Sequence, residues 1–146
     1  MRIAKVVGLV MALVVLSGCA ASGPPYLEVV ATFPPVPQYK GRVFIYRPHA
    51  TFGDDIAAEI HVNGRTVGSS QAGGFFYVDV EPGQCTVATP AEVGEPLRFT
   101  LLQGQTVYVR ISASFGAAVG RIKPVLRGPA DAMFEIQDLY YTGAKK

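Results

Sequence analysis

The sequence contains no tryptophan, only two cysteines and few charged residues. Charged residues make up 16% of the 146 positions, and thirteen Lys and Arg against eleven Asp and Glu give a formal net charge of +2. A nucleic-acid-binding surface needs far more concentrated positive charge, so we expect no nucleic-acid partner. The scarcity of cysteine excludes little, because a chain of this length completes one core without disulfides or metals.

Catalytic motifs are also missing from the sequence. It contains no P-loop, no G-x-G-x-x-G pattern and no G-x-S-x-G elbow. Its two histidines are a small supply for Ser/His/Asp catalysis. We therefore expect no enzymatic activity and no cofactor.

The abundant residues favour β structure. Sixteen Gly and eleven Pro accompany seven Tyr and eight Phe, and 49% of the residues are hydrophobic. This composition is typical of many short strands joined by turns rather than of a helical bundle. We predict an all-β protein with a single small antiparallel β-sandwich.

The amino-terminal segment has the pattern of an export signal. Two basic residues, Arg2 and Lys5, precede an apolar run of eleven residues, Val6–Leu16, and two small residues then lead to Cys19. The run is too short to cross a hydrocarbon core of about 30 Å, which takes roughly 20 helical residues. A buried core helix is the alternative, but no polar residue interrupts the run to give an amphipathic face. The pattern predicts a signal peptide over residues 1–18.

The residues Leu16-Ser17-Gly18-Cys19 closely resemble the lipobox of bacterial lipoproteins. The resemblance implies cleavage between Gly18 and Cys19, a diacylglycerol on the Cys19 thiol, and acylation of the new amine, for example by palmitate. Each buried methylene contributes about 0.8 kcal/mol, so two or three acyl chains anchor a protein essentially permanently. The expected membrane partner is therefore bound through lipid on Cys19.

Two features of the chain after Cys19 bear on its location. In enterobacterial lipoproteins an Asp directly after the cysteine retains the protein at the inner membrane, so Ala20 implies the outer membrane, facing the periplasm. Removal of residues 1–18 also removes Arg2 and Lys5, which leaves eleven basic and eleven acidic residues. This neutrality weakens the case for electrostatic capture by an anionic membrane.

Residues 19–40 are predicted to form a tether. They contain five prolines and only two charged residues, Glu28 and Lys40. Polyproline geometry at about 3.1 Å per residue would hold a domain up to roughly 60 Å from the membrane. The alternative is that Tyr26–Val30 adds an edge strand to the domain.

The sandwich is predicted over residues 41–141, followed by a frayed tail over 142–146. Arg42–Arg47 is apolar on both faces and is expected in the middle of a sheet. Asn63-Gly64 predicts a tight hairpin turn, because these residues tolerate positive φ. Residues 130–141 fit a short helix that Pro129 begins, although a strand also fits part of this segment.

Several short motifs between Gly41 and Arg110 occur in a characteristic order. They are Tyr46-Arg47-Pro48, Asn63-Gly64 with Val67-Gly68, Gly74 ahead of Phe76-Tyr77-Val78, Pro82-Gly83, and Gly104-Gln105-Thr106-Val107-Tyr108-Val109-Arg110. In this order and spacing they resemble the domain-of-unknown-function 2846 family of bacterial envelope lipoproteins. The resemblance implies a small β-sandwich with no established activity and no catalytic residues.

Cys85 is the only other cysteine, so acylation of Cys19 would leave it without an intramolecular disulfide partner. It shares strand parity with Val87, and we predict a buried apolar residue rather than a reactive thiol.

One group of residues has metal-ligand chemistry. His49, Asp54, Asp55 and His61 lie in and after the loop that follows Pro48. Two imidazoles and two carboxylates suit zinc, but their spacing matches no known ligand motif. We predict no metal and keep these four residues as weak candidates.

Outward-facing aromatic residues, together with two arginines, form a candidate binding surface. Strand alternation places Phe76, Val78 and Val80 on one face of their strand and Phe75 and Tyr77 on the other. The same alternation turns Val109 and Ile111 inward and their neighbours outward. The surface comprises Tyr46, Arg47, Phe75, Tyr77, Tyr108 and Arg110. If these side chains share one face, the surface suits a protein, glycan or lipid-headgroup contact, but the second sheet of a sandwich also buries one face of each strand, which favours core packing of the same residues.

Three functions are consistent with these features. The first is a lipid-anchored, non-enzymatic module that binds an envelope protein or glycan, or that organises the envelope. The second is a small envelope hydrolase or metal-dependent enzyme built on the His and Asp group. The third is a lipoprotein subunit of a larger envelope complex, for which an exposed aromatic patch or an unpaired edge strand would be the sign.

Overall fold

The structure is a computed structural model that describes residues 21–90, 96–115 and 120–144. The signal, the lipobox and Cys19 lie outside the described residues. In chain order the elements are α1 (Tyr26–Val29), a 3₁₀ turn (Val30–Thr32), β1 (Gly41–Arg47), β2 (Ala58–Val62), β3 (Arg65–Ser70), β4 (Gly74–Val80), β5 (Gly83–Ala88), β6 (Leu97–Leu101), β7 (Thr106–Phe115), β8 (Gly120–Arg127), α2 (Pro129–Ile136) and β9 (Tyr140–Tyr141).

The strands form two sheets. The first has the order β8-β7-β1-β4-β9, and the second has the order β3-β2-β5-β6. The second sheet is antiparallel throughout, whereas the first also contains two parallel pairs, β1 with β7 and β4 with β9. The predicted all-β sandwich with a short carboxy-terminal helix is confirmed.

The predicted positions of β1 and of the first hairpin are confirmed. Every residue of β1 is buried, because the strand lies in the middle of the first sheet with a packed layer on each face. Asn63 and Gly64 join β2 to β3 with φ angles of 50° and 79°, the positive values that a type I′ turn requires.

An inner core fills the space between the two sheets. It consists of Val43, Ile45, Ala58, Ile60, Val62, Phe76, Cys85, Val87, Leu101, Val109, Ile111 and Ile122. The faces assigned to β4 and β7 are therefore confirmed, since Phe76, Val109 and Ile111 all point into this core. Cys85 is fully buried here, and burial raises the pKa of its thiol, so the prediction of a buried apolar residue is also confirmed.

An outer core lies on the opposite face of the first sheet, beneath α1 and α2. Its buried residues are Tyr26, Phe44, Tyr46, Phe75, Ala132, Ile136 and Leu139. Helix α2 begins at Pro129, as predicted, and buries Ala132 and Ile136 against the sheet. The helices thus add a third layer to the sandwich.

Residues 21–40, predicted as most of the tether, lie against the domain. Tyr26 is 5% exposed, and its backbone N–H donates to the Leu139 carbonyl at 2.9 Å. Tyr26 begins helix α1 instead of the alternative edge strand, and Pro25 makes a single bridge to Tyr140. Phe33 packs against the outer core. The folded unit therefore includes this segment, because Tyr26 and Phe33 supply apolar cover that the first sheet needs.

The predicted tail begins within the fold. The Thr142 N–H donates to the Phe75 carbonyl at 2.9 Å, and Lys145 and Lys146 lie outside the described residues. Among residues 21–90, 96–115 and 120–144, no helix has the length and apolar character needed to cross a bilayer.

Candidate functional site

The predicted aromatic surface is largely covered by the helical layer. Tyr46 and Arg47 are each 1% exposed and Phe75 is fully buried, so these three residues do not form a free binding surface. Tyr77 and Tyr108 pack against the outer core and are only half-buried. The faces assigned to Phe75, Tyr77 and Tyr108 agree with the structure, whereas Arg47 lies on the opposite face of β1 from Tyr46. Core packing, the interpretation that the sequence favoured, describes Tyr46 and Phe75.

Within the outer core, Tyr46 and Arg110 hold Glu135 of helix α2. Tyr46 Oη donates to Glu135 Oε2 at 2.7 Å, and Arg110 Nη1 donates to Glu135 Oε1 at 2.8 Å. Burial and the bond to Glu135 both raise the pKa of Tyr46, which therefore stays protonated and donates. The network fixes α2 on strands β1 and β7.

A second ion pair closes the other side of the outer core. Arg42 Nε and Nη2 donate to the two carboxylate oxygens of Asp79 at 2.7 and 2.9 Å, and Arg42 Nη1 donates to the Pro34 carbonyl at 2.8 Å. The guanidinium also lies 4.1 Å from the Tyr77 ring centroid. The Arg42–Asp79 ion pair was not predicted from the sequence, although both residues lie in segments that were predicted as strands.

Arg47 points the other way, toward the loop over residues 48–57. Its guanidinium donates to the carbonyls of Gly53 and Ile56 in that loop, and to the Ser70 carbonyl at 2.9 Å. Burial lowers the pKa of Arg47, while Asp54 and Asp55 favour its charged form. Arg47 therefore anchors the loop and is not a ligand-binding group.

The structure brings two of the four weak metal candidates together. His49 Nδ1 lies 2.7 Å from Asp54 Oδ2, whereas His61 lies on β2 beside Glu59 and Thr66. Partial burial alone would raise the pKa of Asp54, but hydrogen bonds from His49 and the Ala50 N–H outweigh it and lower that pKa. Asp55 is exposed. In the described part of the chain no group of three or more His, Cys, Asp or Glu is placed to hold a metal ion.

An open groove of about 360 Å³ lies where edge strand β6 of the second sheet approaches β7 and β8 of the first. Phe99, Val107 and Leu126 supply apolar surface, and Leu126 is 42% exposed. Gly128 and Pro129, at the start of α2, close one side. The volume is within the range of about 300–1,000 Å³ typical of ligand sites.

The polar groups of the groove are held in place by neighbouring residues. Gln105 Oε1 accepts from the Leu102 N–H at 2.8 Å, and Thr100 Oγ1 accepts from Gln84 Nε2 at 3.1 Å. Tyr108 Oη lies 3.6 Å from the Met133 sulfur on α2. Arg127 adds an exposed positive charge. The groove therefore combines fixed polar groups, an aromatic ring and a cation, which suits recognition of a ligand with acceptor groups.

Of the predicted surface residues, Tyr108 is the one that lines this groove. The other residues that line the groove, such as Phe99 and Leu126, could not be recognised from the sequence, because they lie in strands with an ordinary alternating pattern. The described residues that line the groove include no carboxylate, imidazole or thiol.

A comparison with family models finds one described as "Protein of unknown function (DUF2846)", which matches residues 37–123. The match covers more than half of the chain, from the residues before β1 into β8, and stops before α2. No curated protein and no solved structure matches the chain.

Proposed function

The chain belongs to the DUF2846 family of proteins of unknown function, and on that premise we propose that it is a lipid-anchored binding module of the bacterial envelope without enzymatic activity. The lipobox-like Leu16–Cys19 supports the anchor, and Ala20 supports an outer-membrane location facing the periplasm. The partner is an envelope protein or glycan.

The groove between β6 and β8 is the observation that carries a binding function. Its apolar residues, its fixed amide and hydroxyl groups and Arg127 offer shape and hydrogen bonding to a ligand, without a nucleophile and base side by side. A hydrolase built on His49 and Asp54 has less support, because His61 lies on a different element.

The lipid anchor is tested by metabolic labelling with palmitate. Cells that make the wild-type protein are expected to label it, and Cys19→Ala is expected to abolish the label, since the acceptor thiol is gone. Cys85→Ala is the matched control, because Cys85 is buried in the inner core and its thiol is not available to a lipid donor. Equal labelling of wild type and Cys19→Ala would refute the anchor.

The groove is tested by photo-crosslinking in intact cells, with a photoreactive amino acid at Leu126. We expect a discrete adduct, and Arg127→Glu in the same protein is expected to lower its yield about tenfold, as loss of one charge-assisted hydrogen bond implies. The control position is Arg65, which is exposed on β3, at the edge of the second sheet away from β6. The same adducts at both positions, or none at Leu126, would rule out the groove as the binding site.

A second function, a subunit of a larger envelope complex, is favoured by the outer surface of the helical layer. Leu27 on α1 is 70% exposed and Phe134 on α2 is 74% exposed. The two helices meet where Tyr26 Oη contacts the Met133 sulfur at 3.6 Å. Large exposed apolar side chains on adjoining helices are typical of contact with another protein. A photoreactive amino acid at Phe134 in the same crosslinking experiment distinguishes contact with another protein subunit from ligand binding in the groove.

A further inference from the structure

The chain is docked onto the domain from the first described residue onward. The Ala21 N–H donates to the Ala72 carbonyl at 3.2 Å. Gly23 lies so close to Tyr141 that an added Cβ would overlap the Tyr141 carbonyl oxygen. Pro25 then bridges to Tyr140. The chain thus leaves little free spacer between Cys19 and the folded domain.

Ala21 lies at one end of the sandwich, which we call the proximal end and define by residues 48–57 and 71–73. Ala72 belongs to the connection between β3 and β4, and the neighbouring Gly73 packs against the His49 ring. His49 is in the loop that follows β1. The attachment point of the amino-terminal segment and this loop therefore share one end of the molecule.

The proximal end presents apolar side chains on an anchored loop. Phe52 is 59% exposed and Ile56 is 38% exposed, and Arg47 holds the loop through the carbonyls of Gly53 and Ile56. Asp54 Oδ2 lies 2.7 Å from His49 Nδ1, and the exposed carboxylate of Asp55 lies in the same loop, where it can remain in water beside the headgroups. Exposed apolar side chains beside a lipid anchor are suited to the boundary between headgroups and acyl chains.

We propose that, once Cys19 carries its lipid, the proximal end rests on the membrane surface with Phe52 and Ile56 at the headgroup boundary. This orientation rests on the proposed function, because it requires the lipid. Cys19 precedes Ala21 by two residues, which span at most about 7 Å. With Ala21 docked, the domain is held against the membrane rather than displayed at a distance.

The absence of tryptophan gives a direct test with single-tryptophan variants. Phe52→Trp places the probe at the proximal end. Leu102→Trp places it at the opposite end, since the turn after β6 lies beside the start of β1, where Gly104 N–H donates to the Lys40 carbonyl. Leu102 is 60% exposed, so the two probes are matched in exposure. Strand β1 spans about 20 Å between these ends.

The lipidated full-length protein is reconstituted in phosphatidylethanolamine and phosphatidylglycerol vesicles that contain brominated acyl chains. We expect at least twofold quenching and a shift to shorter emission wavelength for Phe52→Trp, and little change for Leu102→Trp. Gly23→Ala is expected to reduce the quenching of Phe52→Trp by at least half, because the added methyl group displaces the segment from Tyr141 while Cys19 remains.

Flotation of the vesicles distinguishes failure of the proposed orientation from failure of the lipid anchor. Protein that floats with the vesicles but shows equal quenching of both probes, or no effect of Gly23→Ala, overturns the orientation and leaves the anchor standing. If wild type and Cys19→Ala both fail to float, or both float equally, the anchor itself is wrong.

Discussion

Arg47→Met is expected to lower the free energy of unfolding by about 3 kcal/mol. The guanidinium is 1% exposed and donates to three carbonyls, on Gly53, Ile56 and Ser70. Methionine fills similar space without a donor, and each buried acceptor left unpaired costs about 1–3 kcal/mol, of which water entering the loop recovers a part. Urea denaturation measures the change.

Two further variants make the Arg47 result interpretable. Arg65→Met removes an exposed arginine from β3 and is expected to change stability by less than about 0.5 kcal/mol. Arg47→Lys is expected to lose an amount of unfolding free energy between those of Arg47→Met and Arg65→Met. A single ammonium lacks the planar guanidinium that reaches both the loop and β3. A loss below 0.5 kcal/mol for Arg47→Met would mean that the loop does not depend on this side chain.

Phe75→Ala is expected to lower the free energy of unfolding by about 4 kcal/mol, as full truncation of a buried phenylalanine does. Its ring is fully buried and contacts four other rings, with centroid distances of 5.4 Å to Tyr26, 6.2 Å to Phe33, 6.3 Å to Phe44 and 5.5 Å to Tyr141. Because two of these rings belong to the amino-terminal segment, the cavity also weakens the attachment of α1.

Phe76→Ala is the matched control, since the adjacent residue is the same type and equally buried but faces the inner core. Both variants are expected to lose similar stability in denaturant. Under native conditions, only Phe75→Ala is expected to increase proteolysis and hydrogen exchange over Tyr26–Thr32. Equal exposure of this segment in both variants would show that the outer core does not hold it.

Local patterns were sufficient to predict most of the sandwich. The continuous apolar run of β1 indicated a strand buried on both faces, and Asn63-Gly64 indicated a tight turn, because each signal depends on neighbours in sequence. Pro129 marked the start of α2 for the same reason. These features were confirmed.

The segments that cover the outer core could not be predicted from local sequence patterns. Alternation shows that Phe75 and Tyr77 share a face, but it does not show which distant segment packs on that face. Tyr26 and Phe33 lie in a proline-rich stretch, whose composition indicated a spacer. The groove was missed for a related reason, since it depends on β6 approaching β8 across two sheets. Of the weak metal candidates, His49 and Asp54 contact each other because they lie in one loop, whereas His61 lies beyond that loop on β2.

The parallel pairing of β1 with β7 also constrains the order in which the molecule folds. Val43 pairs with Val107, so the central strand of the first sheet waits for a partner that is synthesised much later. Strands β2 and β3 pair through a two-residue turn and form early, whereas the first sheet closes only after a long loop is restrained, which is slow. Such delayed closure would leave the first sheet open after the β2–β3 hairpin of the second sheet has formed.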